Sequence, residues 1–478
     1  MRSLQRHCDF LLINPPSPDG AVYIRDINRS GRRSRERTIW PQTSLAYLAA
    51  VAKNKGYTPN ILDCIASEIS WNQVHEYIKK NTPKWIVIEG ISSTITNDLY
   101  SSFLGKRYGA KTVLVGPHIT ALPENTMEAY PSLDYGIVGE VEETLEELLD
   151  KSGNNEDITG ISGLVFRNNG EIITNAERGF IQDLDSLPLP MFELLPLETY
   201  NAPYIGGPYV FVLHSRGCPN SCYFCRQNVM WKSSCRLRSG RSIAEEFRYL
   251  ASIGVKKVAF HSDTFTQNRN NVLEICRELT AANTEIKWFC NGRIDLVDEE
   301  ILNAMANAGC EMINYGIESG VQNILIQANK GEKATIEAAR KAVQMTKDAG
   351  IAVWGYFMVG LPGETKETIR KTAAFAKELP LDLVNFSIAT PYPGTPFYRQ
   401  AEQNGWLRHV EWEDFDQNYS AVISYPNLSD KDIVAGVRQS YLAWYATPKG
   451  IKTFFKGLSS WRNIKTMVRI AIDHLTIK

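Results

Sequence analysis

The sequence predicts an α/β protein: an N-terminal doubly wound parallel sheet, then a partial (β/α)6 barrel, then a mainly helical C-terminal region. Three observations carry that expectation. Short runs of branched apolar residues recur with helix-period segments between them, the pattern of parallel strands covered on both faces. The alternation occurs twice, over about residues 1–150 and again over 205–400. A chain of 478 residues is also longer than one ordinary core supports.

In the first block the strand runs are Phe10–Asn14, Asn60–Asp63, Trp85–Glu89, Thr112–Val115 and Tyr135–Val138. Helices lie between them, such as Ser44–Lys55, where Leu45, Leu48, Ala49 and Ala52 share one face. Residues 151–204 read as a connector, with Gly160, Gly163 and Gly170 ahead of the proline-rich segment Ser186–Pro196 and a small hairpin around Gly170. The second block has strand runs at Tyr209–His214, Lys257–His261, Lys287–Asn291, Met312–Gly316, Val353–Val359 and Leu383–Ala389. Ala244–Ser252, Val297–Ala308, Thr335–Ala349 and Thr365–Glu378 supply helices between those strands. Reactive groups of such a barrel belong at the C-terminal strand edges. Residues 401–478 read as mainly helical.

Composition narrows the function classes. With 52 basic and 53 acidic residues the charge nearly cancels, so no overall pull toward nucleic acid is expected. The start lacks the apolar core of a secretory signal, and no run approaches a membrane span. A cytoplasmic location is the expectation. Nine cysteines, an odd number, argue against a disulfide framework.

Three of those cysteines, Cys218, Cys222 and Cys225, stand within eight residues directly after the first barrel strand. The spacing CxxxCxxC lets three thiolates face three corners of a cubane and leaves the fourth iron open to an outside ligand. Zinc would want a fourth protein ligand and usually a second paired motif; Cys235 stands ten residues on and alone. This motif, with Phe224 just before the last cysteine, resembles the radical S-adenosylmethionine (SAM) superfamily.

The resemblance implies a 4Fe–4S cluster on the three cysteines, with SAM chelating the open iron. It further implies reductive cleavage of SAM to a 5′-deoxyadenosyl radical, with Phe224 near the adenine. By the same resemblance Asp263, supported by Ser262, meets the SAM amine and Arg293 approaches its carboxylate. Glu318 or Ser319 meets the ribose or methionine, and Gly360 lets backbone approach the adenine. Each of these residues ends a barrel strand.

The first block, with Asn14-Pro-Pro, Thr43–Ala50, Val115–Glu124 and Val138–Leu148 in that order, resembles the cobalamin-binding domain fused to many radical SAM enzymes. In an open α/β sheet the ligand belongs at the carboxyl strand edge, which points to the loops Asn14–Pro16, Glu89–Thr94, Val115–His118 with Gly116 and His118, and Val138–Glu140 with Gly139. The second and third combine glycine with hydroxyls ahead of helices, which suits a polar or anionic group. No GxGxxG follows a strand, which disfavours a dinucleotide. The Asp-x-His-x-x-Gly motif of other cobalamin carriers is also missing. Within the group it resembles, that absence implies cobalamin bound without a protein histidine below the metal; His118 is the one tempting ligand, and otherwise a loop histidine hydrogen-bonded to backbone.

Two basic features complete the reading. Arg32, Arg33, Arg35 and Arg37 crowd one loop, which is either solvated or a clamp for an anionic group. From 448 to 478 seven Lys/Arg face one acidic residue, and Trp461, Ile464, Met467, Val468, Ala471 and Leu475 share a helical face. Such a helix packs on the barrel or lies peripherally on a membrane, the latter implying a lipid-like substrate.

The combined resemblance implies cobalamin-dependent methylation of an unactivated carbon in a small-molecule or lipid-like substrate. Reducing electrons would come from a low-potential donor such as flavodoxin or ferredoxin. The rival enzymatic reading is a radical cyclisation, rearrangement or oxidation without net methyl transfer. The non-catalytic rival is an iron–sulfur electron carrier or a cobalamin-binding protein.

Overall fold

The structure, a computed structural model, describes residues 3–27, 31–34, 37–202, 206–409 and 411–457. The chain divides between Tyr200 and Asn201 into two compact units.

The first unit is built on a seven-stranded sheet. Its strands are β1 (Phe10–Asn14), β2 (Pro59–Asp63), β3 (Trp85–Glu89), β4 (Lys111–Val115), β5 (Tyr135–Ile137), β6 (Leu164–Asn168) and β7 (Glu171–Thr174), in the order β2-β1-β3-β4-β5-β6-β7. The first five run parallel, and every residue of β1 and β3 is buried, as expected of strands covered on both faces. The order reverses around β1, which lies between β2 and β3, so the crevice at β1 and β3 is the switch point of a doubly wound fold.

Helices α1 (Thr43–Asn54) and α2 (Trp71–Asn81) begin the covering layers. Helix α1 buries a run of alanine and leucine, while α2 starts on a Ser70–Gln73 capping box that satisfies orphan amides at its first turn. The hairpin expected around Gly170 is present and does more than connect. Its strands β6 and β7 extend the sheet antiparallel to β5, so the sheet continues past residue 150.

The second unit holds β8 (Tyr209–Leu213), β9 (Lys257–His261), β10 (Lys287–Gly292), β11 (Cys310–Glu318), β12 (Ala352–Val359) and β13 (Leu383–Ile388). They pair in sequence order, all parallel, with β8 and β13 as the two edges: an open six-stranded barrel wall. Strand β11 runs two residues beyond the expected Gly316. A register shift between Gly316 and Glu318 bulges the strand there and turns Glu318 into the left-handed region at φ +68°.

Past the barrel, the helix Asp430–Tyr445 packs on the helix Lys366–Glu378, and a second helix covers Pro448–Gly457. The described residues 404–409 and 411–428 hold a single 3-10 turn at Trp412–Asp414 and the isolated bridges Leu407–Ile423 and Tyr425–Leu428. The tail residues from Trp461 to Leu475 lie outside the described residues. No described helix is long and apolar enough to cross a membrane.

Candidate functional site

The cysteine loop is shaped before any cofactor enters. Ser215–Arg216 pairs antiparallel with Arg236–Leu237, which folds the segment after the loop back onto its start. Gly217 sits at φ +88°, and a Cβ there would stand 2.1 Å from the Ser234 carbonyl oxygen, so only glycine fits. The amide of Cys225 donates to the Cys222 carbonyl (2.9 Å), giving the tight turn that brings the last two cysteines together. The segment after β11 then clasps the loop. Tyr223 N–H donates to the Ala328 carbonyl (3.1 Å), and Asn329 Nδ2 donates to the Ser221 carbonyl (2.8 Å).

The three sulfurs share one neighbourhood. Burial pushes the Cys225 thiol up to about 12, and the charges of Cys222, Asp263 and Cys218 act in the same direction. A thiol so disfavoured as a free thiolate is a natural partner for a cation that neutralises it. Cys218 Sγ lies 3.6 Å from Thr264 Oγ1 and 3.1 Å from Asn220 Nδ2, and Arg293 Nη1 lies 3.8 Å from Cys222 Sγ. Among the described residues no three Cys, His, Asp or Glu side chains stand close enough to grip one metal ion. A cubane differs in that each thiolate takes its own iron corner, so the donor set fits a cluster and not a single ion. Cys235, solitary in sequence, is brought back by the 215–237 pairing until the charges of Cys218 and Asp263 act on its thiol.

The strand-end residues divide into those gathered around this loop and those that are not. Asp263 is close enough to act on Cys225, and the carbonyl of buried Ser262 accepts from Asn291 Nδ2 (3.2 Å). Phe224 is half-buried within the loop. Buried Arg293 reaches the loop, and its fork is held by Asp295 through Nε (3.0 Å) and Nη2 (2.9 Å).

Glu318 is joined by a residue that motif reasoning missed: Lys330 Nζ donates to Glu318 Oε1 at 2.6 Å, with both side chains buried. Burial opposes the ammonium form, but Glu318 and the nearby Cys222 outweigh it and hold the Lys330 pKa above its ordinary value. A Cβ on Gly316 would collide with both members of the pair, at 2.6 and 2.9 Å, so that glycine is the cradle for it. A lysine directly before glycine in a polar turn carries no periodic signal of burial, which is why the sequence did not single it out.

Two further strand-end residues have engagements of their own. The Ser319 hydroxyl lies 3.1 Å from Thr372 Oγ1 and accepts from the Val321 amide (3.1 Å), while Glu318 joins the group around the cysteines. Gly360 has φ +96°, and a Cβ there would stand 3.0 Å from Ile433, so the close approach of that side chain also calls for glycine; its loop is closed by Glu364, whose carboxyl group accepts from the Gly360 and Leu361 amides.

In the first unit the carboxyl edge carries glycines in left-handed conformation at Gly116 (φ +115°) and Gly139 (φ +81°). A Cβ on Gly116 would meet the Gly90 carbonyl at 2.9 Å, so the loops after β3 and β4 close on each other there. Buried His118 has Nδ1 3.0 Å from Ser92 Oγ, joining the same two loops by a side-chain contact. Deeper in the crevice Arg25 is fully buried. Its guanidinium donates to Asp98 (2.7 Å), Asn14 (2.9 Å), Thr94 (3.2 Å) and the Pro15 carbonyl (2.8 Å).

Of the basic loop, Arg33 pairs with Asp19 (2.6 Å) and stacks over Tyr23, so it is engaged within its own loop. Three buried polar groups near the edge, Thr43 Oγ1, Ser93 Oγ and both oxygens of Glu89, have no hydrogen-bond partner among the described residues. Orphans of this kind at a switch point fit a ligand rich in hydrogen-bonding groups, as cobalamin is.

Comparison with known proteins agrees with both halves. The family described as the radical SAM superfamily matches residues 212–376, and the B12 binding domain family matches residues 35–149. A protein of Pyrococcus horikoshii named as an uncharacterized methyltransferase is 32% identical over 443 residues, covering 91% of this chain and 94% of its own. The anaerobic magnesium-protoporphyrin IX monomethyl ester cyclase of Cereibacter sphaeroides is 28% identical, covering 85% of this chain and 67% of its own. Among solved structures, the radical SAM methyltransferase TsrM of Kitasatospora setae, with cobalamin and a 4Fe–4S cluster bound, matches with a TM-score of 0.70 and 17% identity, covering 98% of each chain. The chain therefore belongs to the radical SAM superfamily, in the group that carries a B12-binding domain, and is an enzyme that works with a 4Fe–4S cluster, SAM and cobalamin.

Proposed function

We propose that this enzyme transfers a methyl group to an unactivated carbon of a small-molecule substrate, with electrons supplied by a flavodoxin- or ferredoxin-type donor. The observation that carries the reading is the pairing, in one chain, of a CxxxCxxC loop at the end of the first barrel strand with a B12-binding unit. The relative named as a methyltransferase, similar along nearly the whole chain, supports it. When bound, the cluster and SAM supply hydrogen abstraction, and cobalamin supplies a methyl carrier.

The chain's own part is to hold and orient. Cys218, Cys222 and Cys225 would ligate three irons and leave the fourth open. Arg293, 3.8 Å from Cys222, balances the negative charge of the thiolates. Asp263 and the Glu318–Lys330 pair provide opposite charges beside the cysteines, suited to a zwitterionic amino acid group. The clasp from Ala328 to Lys330 keeps the loop closed and helps exclude water from reactive intermediates. Gly116, His118 and Gly139 line the edge where the corrinoid would sit.

A second reading, cyclisation or oxidation without methyl transfer, is favoured by the similarity to the magnesium-protoporphyrin cyclase over 85% of the chain. The two are separated by incubating the reconstituted enzyme, reductant and candidate substrates with SAM carrying a deuterated methyl group. Methyl transfer yields S-adenosylhomocysteine and 5′-deoxyadenosine in equal amounts, with the label in the product. 5′-Deoxyadenosine without S-adenosylhomocysteine would replace the first reading with the second.

A further inference from the structure

One buried group in the first unit has no use in the network around it. Glu89 ends β3 one residue past the Ile13–Ile88 pair, beside Asn14 at the switch point. It is fully buried, and neither carboxyl oxygen has a hydrogen-bond partner among the described residues. Such orphans are rare because hydration is lost and nothing replaces it.

The surroundings select what could replace it. The charges of Asp26, Asp63 and Asp98 all act on Glu89, and the cation that acts on it, Arg25, is engaged by Asp98, Asn14, Thr94 and Pro15. Burial first, and then these carboxylates, push the Glu89 pKa well above its ordinary value, which favours the uncharged form. An anionic ligand such as a phosphate would meet three carboxylates and is excluded on charge. An uncharged carboxyl presents an O–H donor and a C=O acceptor side by side. The complement is a group offering C=O and N–H in the same way, which is a primary carboxamide. Corrinoids carry primary carboxamides around the ring.

We propose that Glu89 is a binding residue for the corrinoid, taking one peripheral primary carboxamide through two paired hydrogen bonds at the β1/β3 crevice. The proposal rests on the assignment of cobalamin to this unit. Orphan hydroxyls on Thr43 and Ser93 extend the same demand for hydrogen-bonding groups along the edge.

The test is equilibrium dialysis of hydroxocobalamin against the full-length reconstituted protein, as wild type, Glu89→Gln and Glu89→Leu. It is repeated with cobalamins in which single ring amides are hydrolysed to carboxylates. Glu89→Gln, which keeps one acceptor and a donor, is expected to bind like wild type, and Glu89→Leu about tenfold more weakly. One carboxylate isomer is expected to bind wild type more weakly than the others do, with that deficit shrinking in Glu89→Leu. Equal binding by wild type and a folded Glu89→Leu overturns the proposal. So does equal binding of every isomer to wild type, a result that needs no variant to fold. Wild type that retains no cobalamin overturns the assignment of the cofactor itself, an outcome distinct from equal binding.

Discussion

At the scale of single residues, the cluster loop depends on a glycine as much as on its cysteines. Gly217 carries φ +88° and has the Ser234 carbonyl where a Cβ would go. Gly254 has a similar φ of +84° with nothing near its missing Cβ, so it isolates backbone strain from collision. Gly217→Ala is therefore expected to bind little iron after anaerobic reconstitution, and Gly254→Ala to keep its full complement. Iron and sulfide per chain decide it. The Glu318–Lys330 pair illustrates a different residue-scale fact. Glu318 in the left-handed region is strained for a residue with a side chain, and the ion pair with Lys330 is one of the contacts that hold it there.

At the scale of elements, the strand ends do the positioning. In a parallel sheet the loops at the carboxyl edge are brought together by the strands beneath them, as with Gly90 after β3 and Gly116 after β4. Gly116→Ala would force those loops apart at φ +115°, where the Gly90 carbonyl stands 2.9 Å from the new atom. The expected result is loss of retained cobalamin after desalting, with iron content unchanged because the cysteines belong to the other unit. Loss of both cofactors would instead mean that the substitution unfolds the chain.

At the scale of the whole molecule, proton binding sums over the buried groups. Burial raises Glu89, Asp63, Asp98 and Glu246, and it raises Glu364 to about 7 from its ordinary 4.5. Between those two values the folded protein keeps a proton at Glu364 that the unfolded chain has given up. Its contribution to stability is present at low pH and is lost as pH rises through that window. His214, lowered by burial to about 4 from 6.5, works in the opposite direction and favours the folded state as pH rises. Across pH 5 to pH 8 Glu364 by itself gives stability a downward slope. Glu364→Gln should flatten that slope by gaining stability at pH 8 relative to pH 5, measured as the urea midpoint at the two pH values. An unchanged slope would mean that Glu364 ionises normally.

Much of this protein was legible before its structure. Continuous apolar strands can be read from local composition because a strand buried on both faces has no polar side to confuse the pattern. The observed bounds of β1, β3 and β9 coincide with those expected. The cysteine cluster stood out in sequence because a spacing within eight residues is itself a local geometry. Tertiary structure alone decided what depends on neighbours distant in sequence. Lys330 meets Glu318 across a turn, Cys235 returns to Cys218 through an antiparallel pair, Ser319 faces Thr372, and Gly360 faces Ile433. Glu89 reads in sequence as the polar end of an apolar strand, opening a candidate ligand loop. Only packing removes its hydration, surrounds it with carboxylates and leaves it without a partner, because burial and charge are properties of the assembled fold.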